Sequence, residues 1–202
     1  MTDRPMVFSA LMVRAMLDGS KTQERRILKN KQTWDRVGES ILRQYPEQKS
    51  DVPFAVGDKI WVREVWGHDA STLDDCRRGV ESDGPKYGPY YMADANWFDN
   101  ASVIKRSPNY MPRWASRITL TVTKVRVQRL QDISEEDARA EGVEPTTCAN
   151  VLAPEDGFPS YRSAYAWIVW ETIHGKGSWA LNPWVCALTF KVAKVNINAL
   201  QK

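Results

Sequence analysis

The chain has 202 residues, 43% of them hydrophobic and 26% charged, with a net charge of +3. That length excludes more than one domain with large loops or two small ones, and the composition is ordinary for a globular protein with a core. The charge is too small to argue for nucleic acid by itself, since duplex binders carry a denser basic face.

Three widely spaced cysteines, Cys76, Cys148 and Cys186, imply no disulfide framework. Only His68 and His174 are present, without a CxxC or HExxH run, so no metal or cofactor is expected. Residues 6–17 are apolar, but the stretch is short and Arg14 interrupts it. Neither a signal peptide nor a membrane span is expected, which predicts a cytoplasmic protein with no membrane partner.

In chain order, Met6-Val7-Phe8 reads as a short strand. Ser9 caps a helix whose Met12, Ala15 and Met16 form one apolar stripe, and Gly19 ends it. Lys21 to Arg26 reads as a dense polar run leaving that helix. Residues 29–55 are polar and weakly patterned. Val56-Gly57-Asp58 turns into a strand over 59–66, with Trp61 and Arg63 on one face and Val62 and Glu64 on the other. The stretch 68–112 is rich in Gly, Pro, Asp and aromatics, the composition of an insertion, with Tyr90 to Ala93 reading as a strand inside it. Over 117–130, Ile118, Leu120 and Val122 alternate with polar residues, then Val125 and Val127 continue in the opposite phase. Such a parity change predicts a bend near Thr123-Lys124.

Ser134 is placed as the N-cap of a helix that begins with Glu135, Glu136 and Asp137 and ends at Glu141-Gly142. A helix over 160–174 has little polar face. Trp184, Cys186, Leu188, Phe190 and Val192 alternate in a final strand. The basic clusters Arg25-Arg26 with Lys29 and Lys31, Arg77-Arg78, Lys105-Arg106, and Arg113 with Arg117 each read, taken alone, as solvated surface. Strands at both ends with helices between predict a single α+β domain over 1–195, with insertions at 29–55 and 68–112 and a tail at 196–202.

Several runs together carry a resemblance. They are Asp18-Gly19-Ser20-Lys21-Thr22 with Arg25-Arg26, Gly57-Asp58 before Trp61-Val62-Arg63-Glu64, and Met111-Pro112-Arg113-Trp114-Ala115-Ser116-Arg117-Ile118. They continue with Leu130 to Ala138, Glu141-Gly142, Gly175-Lys176-Gly177-Ser178-Trp179 and Asn182-Pro183-Trp184. This set resembles the ASCH family, most of all its larger phage and prophage members. The resemblance implies a PUA-like closed or nearly closed β-barrel with flanking helices, and a cleft beside the first helix. It also implies a link to RNA or nucleotides. A more distant branch hydrolyses N4-acetylcytidine with a lysine, a threonine and a glutamate. By motif the lysine falls on Lys21 and the glutamate on Glu141, while the threonine's place holds Glu24.

Hydrolysis of an amide needs a nucleophile, a base and a holder for the oxyanion. Glu24 offers no hydroxyl, and its carboxylate beside Lys21 would stabilise the ammonium by about 4 kcal/mol at contact, against base duty. An enzyme would need Glu24 or Glu141 to activate water, with Lys21 holding the oxyanion. Binding needs less. Lys21, Arg26 and Arg63 address phosphates or base acceptors, Glu64 or Glu141 accepts from an exocyclic amine, and Trp66 or Trp114 stacks a base. The expected function is therefore recognition of RNA, ahead of DNA, or of a modified nucleobase, in a cleft made by the Lys21–Arg26 run and the helix that starts after Ser134. An N4-acetylcytidine amidohydrolase using Lys21, Glu24 and Glu141 is the first alternative, and a metal-independent ribonuclease the second.

Overall fold

A computed structural model describes residues 2–28, 52–69, 89–94, 103–145 and 158–201. Cys76, Cys148, Lys29, Lys31, Arg77, Arg78, nearly all of the 29–55 segment and much of 68–112 lie outside them. Three stretches, Met1–Asp18, Asp58–Thr121 and Val192–Lys202, make one compact unit. The other consists of Gly19–Gly57 and Val122–Lys191.

In the first unit, β1 (Asp3–Val7) pairs in parallel with β3 (Lys59–Arg63), and β3 pairs antiparallel with the start of β7 (Thr119–Arg129). Between β1 and β3 lies α1 (Ala10–Asp18), with Met12, Val13, Ala15 and Met16 buried. The Ser9 hydroxyl accepts from the Met12 amide at 3.3 Å, and Gly19 takes the left-handed φ of 91° that a helix C-terminus favours. A small second sheet, β5-β4-β6, is built from β4 (Trp66–Asp69), β5 (Tyr90–Tyr91) and β6 (Val103–Arg106). Ile197 is fully buried, and Asn196 Nδ2 donates to the carbonyls of Arg113, Trp114 and Ser116 at 2.9, 3.0 and 2.6 Å.

In the second unit, β8 (Trp184–Ala193) lies between β7 and β2 (Gln23–Ile27), with β2 and β8 antiparallel. Trp184 to Leu188 are buried without a break, so the clean alternation read from the sequence gives way to a strand covered on both faces. The Cys186 thiol sits in that interior and burial pushes its pKa up to about 12. Along β7, Thr123 and Lys124 are adjacent and both exposed, at the place where the apolar alternation changes parity. The short helix α2 (Glu135–Ala140) starts as its sequence predicts: Ser134 Oγ accepts from the Asp137 amide at 3.1 Å, a cap worth about 1 kcal/mol.

The predicted 160–174 helix is capped by Ser160 and begins as α3 (Tyr161–Ala164). It then widens into a π-helix over Tyr165–Glu171 and ends as α4 (Thr172–His174).

The class is α+β. Its strands order as β1-β3-β7-β8-β2 and β5-β4-β6, and none of the described pairings closes a ladder on itself. No helix among the described residues is long and apolar enough to cross a membrane.

Candidate functional site

The polar run after α1 is not a solvated exit from a helix. From Gln23 it is the strand β2, and Lys21, Gln23, Glu24 and Arg25 are all buried. Side chains alternate along a strand, which puts Gln23 and Arg25 on one face and Glu24 and Arg26 on the other. The first face meets α2, whose Asp137 and the following Glu141 are four residues apart and so lie on one side of the helix. Arg25 Nη1 donates to Glu141 Oε1 at 2.6 Å and Nη2 to Asp137 Oδ2 at 3.0 Å, while Gln23 Nε2 donates to Asp137 Oδ1 at 2.7 Å. Arg126, from β7, adds a bond to Asp137 Oδ2 at 2.6 Å.

Lys21, joined to Glu141 by a backbone bridge, lies between the two faces. Its fully buried ammonium donates to Glu141 Oε2 at 2.8 Å and to the carbonyls of Gln23 (2.7 Å) and Glu141 (3.1 Å). It also stands 2.9 Å from Glu24 Oε2. Glu24 Oε1 in turn lies 2.8 Å from Arg26 Nε, and the Arg26 side chain is 37% exposed, so the chain of charges reaches solvent there.

Both oxygens of Glu141 thus accept hydrogen bonds. Glu24 Oε2 is buried and meets the Lys21 ammonium as an ion pair at 2.9 Å. Four cations (Lys21, Arg25, Arg26, Arg126) face three carboxylates (Glu24, Asp137, Glu141), a surplus of one positive charge.

Three rings from the π-helix and its end complete the setting. Tyr165 and Trp170 are buried, with ring centroids 6.4 Å apart, and the His174 ring is 4.3 Å from that of Trp170. Burial, then the charges of Glu141 and Glu24, hold the Tyr165 hydroxyl well above its ordinary pKa. Burial and Arg26 hold His174 below its ordinary value, with Glu24 opposing. Both side chains therefore sit within the field of the Glu24 carboxylate.

Burial alone would lower the Lys21 pKa, but the carboxylates of Glu141 and Glu24 bring it above the ordinary value, so Lys21 is a fixed cation. Asp137 ends below its ordinary value: burial works upward, but hydrogen bonds from Gln23 and Arg126 and the charges of Arg25 and Arg126 prevail. These directions fix a pH profile. The Asp137 contribution to stability is complete above pH 3.8 and drains away as pH falls below it. The Lys21 contribution is complete below pH 10.5 and is lost as pH rises through the folded-state value, and Tyr165 acts in the same sense above 10.0. Thermal unfolding followed across pH should show both limbs, with Asp137→Asn flattening the acid one and Lys21→Met the alkaline one. Limbs that persist in these variants would assign them to other groups.

The remaining predicted residues lie in the first unit. Arg63 stands 4.6 Å over the Trp61 ring, and its Nη1 donates to the Asn109 carbonyl at 3.3 Å. Glu64 is held by Arg117 through bonds of 3.0 and 3.1 Å, and its pKa is raised by burial against the pull of Arg117. Arg117 also grips Asp94 at 2.8 and 3.0 Å and lies 3.8 Å over the Tyr91 ring. Trp66 and Trp114 pack edge to face, 6.0 Å apart, in an apolar cluster with Met111 and Ala115. The predicted set therefore divides, with Lys21, Glu24, Arg26 and Glu141 converging in the second unit, and Arg63, Glu64, Trp66 and Trp114 belonging to the first.

Sequence reasoning passed over Arg25, Gln23, Asp137 and Arg126 as partners, and Tyr165, Trp170 and His174 as neighbours. A signal for the first group was present: Gln23 and Arg25 two apart on a strand match Asp137 and Glu141 four apart on a helix. No family model matches this chain, and no curated protein or solved structure matches it.

Proposed function

We propose that the second unit binds a single nucleobase, free or within an RNA strand, at the edge where Glu24 and Arg26 meet, as an ASCH-type binding protein of the PUA-like barrel class. The observation that carries this reading is the unequal use of the two glutamates. Glu141 is saturated by Lys21 and Arg25 and serves as an anchor, whereas Glu24 is held by ion pairs, one to Lys21 and one to the partly exposed Arg26. A carboxylate accepts from a base's amino or imino group. A guanidinium donates to its ring nitrogen, carbonyl or phosphate. The surplus positive charge suits an acceptor-rich ligand. Lys21 fits the role of orienting Glu24 and not that of a proton acceptor, because its two carboxylates keep it charged.

Fluorescence anisotropy of a labelled mixed-sequence single-stranded RNA, repeated with DNA of the same sequence, tests the reading. Saturable, salt-sensitive binding without cleavage, tighter for RNA and about tenfold weaker in Arg26→Ala, is the expected result. Acetate release from N4-acetylcytidine that disappears in Lys21→Ala would replace the binder with a hydrolase, and shortening of the RNA would replace it with a nuclease.

A further inference from the structure

The sheet face that meets α2 carries a second group of cations. Arg126 lies on it, since its guanidinium bonds to Asp137 and to Gln23. Side chains alternate along a strand, so Lys124 and Gln128 share that face with Arg126. Gln23 pairs with Thr189, which puts Thr189 and, two residues on, Lys191 of β8 there too. The Leu130 amide donates to the Pro183 carbonyl at 3.0 Å and the Thr123 hydroxyl to the Thr189 carbonyl at 3.1 Å, so Lys124 lies beside Thr189. Lys191 is then its diagonal neighbour across the two strands, about 7–8 Å away.

Charge on this face is unbalanced. Asp137 and Glu141, the carboxylates brought to it by α2, already accept from Gln23, Arg25, Arg126 and Lys21. Lys124 and Lys191 are both exposed, and neither forms an ion pair among the described residues. The Arg126 side chain is 32% exposed, and neither its Nε nor Gln128 Nε2 has an acceptor. Donors and positive charge without matching acceptors suit phosphate oxygens, and lysine meets them as a compact point charge without choosing a base.

The patch also stands apart from the base site. Arg26 pairs with Cys186 of β8, and Lys191 is five residues farther along that strand, about 17 Å away and on the opposite face. One nucleotide held at Arg26 does not span that interval, whereas a strand of several does.

We infer that Lys124, Arg126 and Lys191 hold the sugar–phosphate backbone of the strand whose base sits at Glu24 and Arg26. This rests on the base-binding reading above and narrows it: the partner is a nucleic-acid strand and not a free nucleobase. The two lysines then govern affinity for a strand and leave that for a mononucleotide untouched.

The experiment measures affinity for the mixed-sequence single-stranded RNA across a salt series, and for the four ribonucleoside monophosphates. The proteins are the parent, Lys124→Ala, Lys191→Ala, the double variant and Lys105→Ala. Lys105 is exposed on β6 of the first unit and controls for the loss of a charge as such. For each patch lysine removed, the plot of log affinity against log salt should become shallower by about 0.7, which is about fivefold weaker RNA binding at ~0.1 M salt. Monophosphate affinity stays at the parent value, and Lys105→Ala keeps the parent slope.

A parental slope in the double variant overturns the inference and leaves the base-binding reading intact. So does an equal loss in Lys105→Ala, or an equal loss for the monophosphates. A parent that binds neither the RNA nor any of the monophosphates overturns both. Should the alanine variants melt below the parent, glutamine at both positions is compared with arginine at both. Arginine must then keep the slope and glutamine lose it, and equal slopes overturn the inference.

Discussion

Replacing Glu141 with alanine is expected to lower the unfolding free energy by about 3–5 kcal/mol, the range for removing one partner from a buried charge pair. The side chain is 1% exposed and takes one bond from Lys21 and one from Arg25, both wholly buried. Without it, four cations face two carboxylates, and the Lys21 ammonium keeps only Glu24 and two carbonyl oxygens. Attraction between these groups is not by itself a large source of stability, because bringing them out of water costs nearly as much as their pairing returns. The asymmetry is what makes the effect large: the desolvation of Lys21 remains after its partner is gone. Denaturant unfolding measures it, as a lower midpoint at unchanged slope. Combining Lys21→Met with Glu141→Gln should recover part of the loss, since the stranded charge is then absent too. A cost below about 1 kcal/mol for Glu141→Ala would mean that water reaches Lys21 and that the network is not sealed.

Glu24→Gln is expected to act on ligand binding more than on stability. Affinity for single-stranded RNA should fall by about ten- to a hundredfold, the loss of one charge-assisted hydrogen bond of about 1.5–3 kcal/mol. The fold should survive, because glutamine preserves the shape and Lys21 keeps Glu141. Titration of labelled RNA against the variant, with near-ultraviolet circular dichroism to check the tryptophan packing, separates the two effects. Unchanged affinity would take Glu24 out of the ligand contact.

These two glutamates also mark how far the sequence could be read. The helix that carries Asp137 was legible because its signals are local: a Ser134 cap, acidic residues in the first turn, Gly142 after the last. The strand β2 was not, because Gln-Glu-Arg-Arg has the composition of a solvated loop. Its place inside the protein depends on charges supplied by α2 and by Arg126, more than a hundred residues away in the chain from Gln23. Composition prices each charge as if it stood in water, and cancellation by distant partners leaves no trace in a local window. The π-helix was equally hidden, since an apolar helical pattern does not reveal an inserted turn. At β8, burial on both faces replaced the expected alternation because each side of that strand is covered by its own neighbours.

The discontinuity of the two units bears on how the protein is made. The first unit draws on the start of the chain, on its middle and on Val192–Lys202, where Asn196 secures the turn around Arg113, Trp114 and Ser116. During synthesis on a ribosome, β1 and β3 can meet early, but that turn waits until Asn196 has left the exit tunnel. A nascent chain arrested before Asn196 should therefore be open to protease around residues 113–116, and become resistant there only once Asn196 has emerged.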